Sequence, residues 1–486
     1  MKYLQLLSLF LTIPAFLYSQ EYSCSHSIRI NPGDNPQEIV KRAAHICPTA
    51  RQTAWQKLEF TVFIHFGMNT FTNREWGEKG TSPALFNPTA LDAGQWVKTA
   101  KLAGAKLLII VAKHHDGFCL WPSKFTDYTV KNSPWRGGKG DVVAEVASAC
   151  RKYGMKLGIY LSPWDINSPL YGTEEYNDHF RNQLTELLTQ YGPVDEVWFD
   201  GACGEGPNGK RQVYDWLSYY RLARKLQPGA VIAVTGPDVR WVGTESGYGR
   251  ETEWSVVPVP AAAPGDSASG SQHAETKDGV FLPPGNMMEQ DLGSREKIVH
   301  AKALVWYPSE VDVSIRPGWF YHRDQDSLVK SPETLVDIWY GSVGRNSVLL
   351  LNLPPDRRGL IHENDVAALR KMRSVLDATF GNNLAKNAAI VKNDSMILLD
   401  LPKPVTFDRV MLQENFRNGQ RVESFVLETR DGNAWKEIAR GTTIGYKRLL
   451  RFDPVRSGNV RLHITSSRDI PEISVFGLYK APAEKQ

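Results

Sequence analysis

Six short apolar runs recur between residues 55 and 350: Thr61–Phe66, Lys106–Ala112, Lys156–Leu161, Val194–Phe199, Ala230–Val234 and Ser347–Leu351. Continuous apolar runs of this length predict strands covered on both faces. Between them lie amphipathic stretches of helical length: Leu91–Ala103, Asp141–Tyr153, Tyr176–Tyr191 and Val213–Leu226. About 300 residues of such alternation predict a (β/α)8-like TIM barrel, an α/β fold, lacking one or two of its helices. A doubly wound open sheet is the alternative, and no G-x-G-x-x-G follows the first run to support it.

The rhythm breaks over residues 255–295, where Val257-Pro258-Val259-Pro260 leads into a Pro/Ala- and Ser/Gly-rich stretch. It predicts a long loop on the loop-bearing face of the barrel, either a lid or an insertion. After a further helix, Glu363–Leu376, the texture changes to short alternating strands: Met396–Leu399, Arg409–Gln413, Ser424–Thr429, Trp435–Arg440 and Val460–Ile464. These predict a C-terminal β-sandwich. The expected organisation is a signal peptide over 1–20, a barrel over 21–380 and the sandwich over 381–486.

The length of 486 residues itself favours two domains. A net charge of +4 without a basic cluster gives no reason to expect nucleic acid or an anionic membrane surface as partner. Lys2 followed by the apolar run Tyr3–Leu17 and Tyr18-Ser19-Gln20 predicts a Sec signal peptide and a periplasmic or secreted protein. That run is shorter than the roughly 20 apolar residues of a membrane span. Of five cysteines, Cys24 and Cys47 could close a loop in an oxidising compartment, and an odd count leaves a thiol over. Oligomeric state is left open.

In a parallel barrel, side chains at the C-terminal ends of the strands face the active site. Here those ends read His65-Phe66-Gly67, Lys113-His114-His115-Asp116, Tyr160-Leu161-Ser162-Pro163-Trp164-Asp165 and Trp198-Phe199-Asp200-Gly201. Ionisable groups appear wherever an apolar run stops, which predicts one convergent site. A zinc centre is the first alternative. His114 and His115 are adjacent and point to opposite sides of an extended backbone, and no H-E-x-x-H helix adds ligands. No metal or other cofactor is expected. A Ser or Cys nucleophile fits no better, since no G-x-S-x-G follows a strand and Cys119 and Cys203 lack an evident base.

Paired carboxyls fit. Glycoside cleavage needs an ionised carboxylate against the anomeric carbon and a protonated carboxyl near the leaving oxygen. Asp200 is the natural nucleophile, with helix capping beside Gly201 as its bland alternative. The acid is open on these grounds among Glu245, Glu251 and Glu253, and Glu205 sits in a Gly-rich loop closer to Asp200.

The runs Phe63–Phe71, Glu75-Trp76-Gly77, Ala112–Phe118, Trp198–Gly201 and Arg316–Tyr321 resemble, in order, the motifs of glycoside hydrolase family 29, the α-L-fucosidases. The resemblance implies retention of configuration through a fucosyl-enzyme on Asp200. It also implies a fucose-binding set of His65, Glu75, Trp76, His114, His115, Tyr160, Trp198 and Trp319. Imidazoles and a carboxylate suit the sugar hydroxyls, and an aromatic wall suits its methyl group. Trp241–Gly247 (WVGTESG) resembles the subfamily acting on α-1,3/1,4-linked fucose of Lewis-type branches, which points to Glu245 as the acid/base, although Thr244 stands where Asn is expected. A fucosylated oligosaccharide or glycoconjugate is the implied substrate. The C-terminal segment resembles galactose-binding-like sandwiches. A non-catalytic glycan-binding protein, or a retaining hydrolase of another deoxysugar or a galactoside, are the alternatives carried forward.

Overall fold

The computed structural model describes residues 23–234, 236–259 and 289–482. The predicted signal peptide therefore lies outside the described residues, as does most of the Pro/Ala-rich stretch. At the centre is a closed barrel of eight strands. These are β1 (Phe60–Ile64), β2 (Leu107–Lys113), β3 (Lys156–Leu161), β4 (Glu196–Phe199), β5 (Val231–Val234), β6 (Val239–Trp241), β7 (Ser309–Ser314) and β8 (Val348–Asn352). Every neighbouring pair is parallel and in sequential order, and β7 closes the ring on β6 with Glu310 beside Trp241.

Helices α1 (Ala93–Ala103), α2 (Val142–Tyr153), α3 (Glu175–Gln190), α4 (Trp216–Leu226), α5 (Pro332–Gly341) and α6 (Glu363–Phe380) cover the outside. Asp92, Asp141 and Asp215 start three of them by accepting backbone N–H groups of the first turn. Only residues 235–238 link β5 to β6, and among the described residues between β6 and β7 the one helix is the five-residue Arg295–Val299. The expected loss of a helix falls at the first of these places.

Alternation along the strands decides which side chains reach the site. Phe63, Ile109, Tyr160, Trp198, Ala233 and Leu350 fill the barrel interior. Their neighbours Val62, Ile110, Ile159, Val197, Ile232 and Leu351 face the helices. Continuing the inward row by two residues brings His65, Asp200 and Asn352 to the mouth.

Strand β7 escaped the apolar pattern because its inward row is Glu310 and Asp312. Tryptophans satisfy these acids from within the barrel: the indole of Trp198 donates to Glu310 and that of Trp241 to Asp312, each at 2.8 Å. Burial pushes both carboxyls well above the usual range, so they sit inside as neutral acids.

Of the long insertion only the flanks lie among the described residues. Its described flanks form a three-stranded sheet of Ser27–Arg29, Ala303–Trp306 and Val256–Val259, rather than a loop beside the site. Trp306 donates its indole N–H to Gln56, just ahead of β1, and its strand runs into the start of β7. These flanks therefore sit by the strand beginnings, held there by pairing with the N-terminal segment. Cys24 and Cys47 are joined in a disulfide; Cys119 and Cys150 are buried thiols and Cys203 a half-buried one.

Beyond the barrel lies an antiparallel sheet of β9 (Ala389–Lys392), β10 (Met396–Glu414), β11 (Val422–Asp431), β12 (Ala434–Gly441), β13 (Arg448–Ser467) and β14 (Ile473–Tyr479). The order is β9-β10-β13-β11-β12, with β14 on β10. Met396–Leu399 and Arg409–Gln413, expected as separate strands, are the two ends of β10. Register shifts at Asp400/Val405 and Phe407/Arg409 interrupt it. Leu399, Phe407, Val410, Leu427, Leu462 and Leu478 share its core.

Candidate active site

Asp200 ends the inward row of β4 and is held from two sides. The Tyr160 hydroxyl donates to its Oδ2 at 3.0 Å, and His115 Nε2 lies 3.8 Å from the same oxygen. Oδ1 accepts the backbone N–H of Ala202 at 2.7 Å, so the carboxylate also shapes the turn that follows. Beneath it Tyr160 stacks on Trp198, ring centroids 5.2 Å apart. Trp198 itself is only 4 % exposed, with its indole N–H committed to Glu310. It belongs to the floor under Asp200.

The three histidines meet at the mouth. His114 and His115, expected on opposite sides of a strand, lie side by side with ring centroids 4.0 Å apart. The reason is local: β2 shifts register between Val111 and Lys113, and the chain turns after Lys113, so the extended-backbone argument does not apply there. His65 packs against His114 at 5.6 Å. Burial holds all three below the ordinary histidine value, His65 down to about 3. For His115 the Asp200 carboxylate opposes that shift, and for His114 the neighbouring imidazoles deepen it. All three are neutral at pH 7.

Their tautomers follow from fixed partners. Asn352 donates its amide N–H to Ser314 and to the Trp319 carbonyl, at 3.0 and 2.7 Å, which turns its oxygen to His65. That oxygen accepts from His65 Nδ1 at 2.8 Å, leaving Nε2 as an acceptor. Ser162 donates to the Trp164 carbonyl and so accepts from His115 Nδ1, both at 2.7 Å, which again leaves Nε2 as an acceptor. His114 Nδ1 instead faces the Asn69 amide N–H at 3.5 Å, so its Nε2 carries the proton. The mouth thus offers two imidazole acceptors and one donor, a pattern for hydroxyls that both donate and accept.

Glu75 is engaged by the loop after β7. Its oxygens accept the backbone N–H groups of Trp319 and Phe320, at 2.8 and 3.3 Å, and Nε2 of His322 at 2.5 Å. The loop approaches so closely that a Cβ on Gly318 would come within 2.5 Å of the Glu75 carboxylate. Trp319, pinned this way, lies 5.2 Å from the His65 ring, and Phe320 closes on His114 at 5.0 Å. Trp76 projects into solvent, 62 % exposed, edge-on to Trp164 and His115. Together these rings form an aromatic rim at the barrel mouth.

Glu245, in the loop after β6, is exposed, and its Oε2 accepts the Trp319 indole N–H at 3.3 Å. Partial desolvation raises its carboxyl above the usual range; the indole N–H opposes the shift, and the charges of Asp200 and Glu75 add to it. Its rivals are elsewhere. Glu253 is 1 % exposed and paired with Arg240 and Arg250, and Glu251 pairs with Arg345 and Arg448. The Glu205 carbonyl receives the Trp164 indole N–H.

Sequence reasoning missed Asn352, Ser162, His322 and Asn69. The rule that found Asp200 could have found Asn352, which directly follows the apolar run Ser347–Leu351. Ser162 lies in the third strand-end run but its bond to His115, like those of Asn69 to His114 and His322 to Glu75, spans a distance in sequence that no local pattern marks.

Residues 80–249 and 267–379 match the sequence family described as Alpha-L-fucosidase. Alpha-L-fucosidase 1 of Arabidopsis thaliana is 41% identical over 468 residues, covering 89% of this chain and 87% of that protein. A crystal structure of a putative alpha-L-fucosidase from Bacteroides ovatus is 49% identical, with a TM-score of 0.87 over 96% of this chain and 80% of that one. A Ruminococcus gnavus fucosidase of glycoside hydrolase family 29, solved in complex with fucose, is 30% identical, with a TM-score of 0.75 over 90% of this chain and 95% of that one. The match extends through the barrel and the C-terminal sheet, and the chain belongs to the α-L-fucosidases of glycoside hydrolase family 29.

Proposed function

We propose that the protein is a retaining exo-α-L-fucosidase in which Asp200 is the nucleophile and Glu245 the acid/base, acting on α-1,3/1,4-linked fucose of Lewis-type branches. The observation that carries this reading is the contrast among the carboxyls. Glu251 and Glu253 are paired with arginines, whereas Asp200 and Glu245 have no arginine or lysine partner among the described ion pairs. In the first step the Asp200 carboxylate bonds to the anomeric carbon, the glycosidic C–O bond breaks, and Glu245 passes its proton to the leaving oxygen. In the second, Glu245 takes a proton from water, whose oxygen replaces Asp200 at the same carbon and restores the α configuration.

The neutral histidines orient the sugar: His65 and His115 accept hydrogen bonds from hydroxyls, and His114 donates one. The aromatic rim suits the methyl group. The Trp241–Gly247 run supports the linkage preference. Export by the N-terminal signal peptide to the periplasm or beyond is part of the same proposal, supported by the Cys24–Cys47 disulfide, a bond that persists in oxidising compartments.

The test is fucose release from a Lewis-type trisaccharide by wild type and by Asp200→Ala, Glu245→Ala, Glu251→Ala and Glu253→Ala. Expected are loss with Asp200→Ala and azide rescue of Glu245→Ala alone on an activated aryl fucoside. Rescue of a different glutamate variant would move the acid/base, and turnover by Asp200→Ala would remove the nucleophile.

A further inference from the structure

The barrel holds the loop carrying Glu245 on both sides of that residue, with Gly249 bonded to the Gly341 carbonyl and to Arg345, and the C-terminal sheet grips the segment just beyond. At its start Val242 donates its backbone N–H to the Glu310 carbonyl of β7, at 2.9 Å. Gly243 and Gly247 then adopt left-handed φ values of 104° and 85°, and among the described residues the one side-chain bond of Glu245 is to Trp319. The segment just beyond reaches the C-terminal sheet. Arg448, at the start of β13, has a side chain only 4 % exposed; it donates Nη1 to the Glu251 carbonyl at 2.6 Å and pairs with the Glu251 carboxylate. Thr442 donates to the same carbonyl at 3.0 Å, and Thr443 accepts the Glu253 backbone N–H at 3.0 Å.

A buried arginine is costly unless its donors are used. Arg448 uses its two terminal nitrogens on a backbone carbonyl and a carboxylate just beyond the acid loop, while its Nε is buried without a partner. The Glu251 carboxylate, 56 % exposed, gains little stability from such a pair. Docking of the two bodies does not depend on it, since Arg451–Asp337 and Arg295–Glu423 also join them.

We infer that the C-terminal sheet positions the general acid: Arg448, gripping Glu251, fixes the segment just beyond the loop that aims Glu245 at the leaving oxygen. Arg448 is a positioning residue, and the inference rests on Glu245 being the acid/base. A misaimed acid slows departure of a poor leaving group and spares a good one, a signature that general destabilisation lacks.

The experiment compares kcat/KM for a Lewis-type trisaccharide with kcat/KM for 2-chloro-4-nitrophenyl α-L-fucoside, whose phenolate leaves without a proton. In the full-length protein, Arg448→Gln is expected to lower the trisaccharide-to-aryl ratio about tenfold, a fraction of the 10²–10⁴-fold that general acid catalysis contributes. Glu251→Gln, exposed and safe for folding, should lower it in the same direction, and it decides the matter if Arg448→Gln does not fold. Asp337→Asn, which breaks another contact between the same two bodies, should leave the ratio unchanged. Equal losses on both substrates, or no loss in either the Arg448 or the Glu251 variant, would overturn the inference. Glu245→Gln run in parallel separates the two claims: if it leaves the ratio unchanged, the acid assignment itself fails.

Discussion

Asn352, at the end of the last barrel strand, points its amide oxygen at Nδ1 of His65, at the end of the first. The two are neighbours because the barrel closes, and the contact decides which imidazole nitrogen is left as an acceptor. Asn352→Leu should cost about 1–3 kcal/mol of transition-state binding, roughly ten- to a hundredfold in kcat/KM, by freeing the ring and orphaning a buried N–H. Steady-state kinetics on an aryl fucoside measure the loss. Nitrogen NMR of the imidazole should show the Nε2-acceptor tautomer of His65 in wild type and a mixture in the variant.

Trp319 donates an indole N–H to Glu245, and that bond favours the carboxylate. Trp319→Phe removes it, so the Glu245 carboxyl should titrate at higher pH than in wild type. In the proposed mechanism Glu245 must be protonated to act, and the alkaline limb of the pH profile of kcat/KM should therefore move upward. A downward shift would mean that the indole hinders the carboxylate or that another group sets the limb.

Asp116, buried behind His115, is pushed up to about 8 by desolvation and then by the charge of Asp165. An unfolded Asp titrates near 3.9, so between about pH 4 and pH 8 the folded chain holds a proton that the unfolded chain has lost. Stability from this group is complete below about pH 4 and falls as the pH rises toward 8. Asp116→Asn should flatten that part of the stability profile and be relatively more stable at pH 8 than at pH 5. Urea midpoints at the two values test the sign.

Glu253 is buried between Arg240 and Arg250, so Glu253→Ala strands two guanidinium groups. The expected cost is about 3–5 kcal/mol of stability, read from a urea titration. The folded fraction should keep the wild-type ratio of trisaccharide to aryl-fucoside turnover, which separates this glutamate from Glu245.

Much of this molecule was written in local pattern. Runs such as Lys106–Ala112 and Val194–Phe199 are apolar on both sides because helices cover one face and the barrel interior the other, and that demand is visible residue by residue. The same regularity exposed His65, Tyr160 and Asp200, since a polar residue where an apolar run stops stands at the mouth of a parallel barrel. Strand β7 was illegible because Glu310 and Asp312 are solvated by indoles from β4 and β6, partners that only barrel closure supplies. The pairing of His114 with His115 was misjudged because a register shift between strands, which has no signature in one strand alone, set their directions. What sets Glu245 apart from Glu251 and Glu253 is also tertiary: of three similar carboxylates within nine residues, two are paired with arginines at positions 240, 250, 345 and 448. Local sequence settles what each residue can do chemically; long-range packing settles which charges are already neutralised and which remain for the substrate.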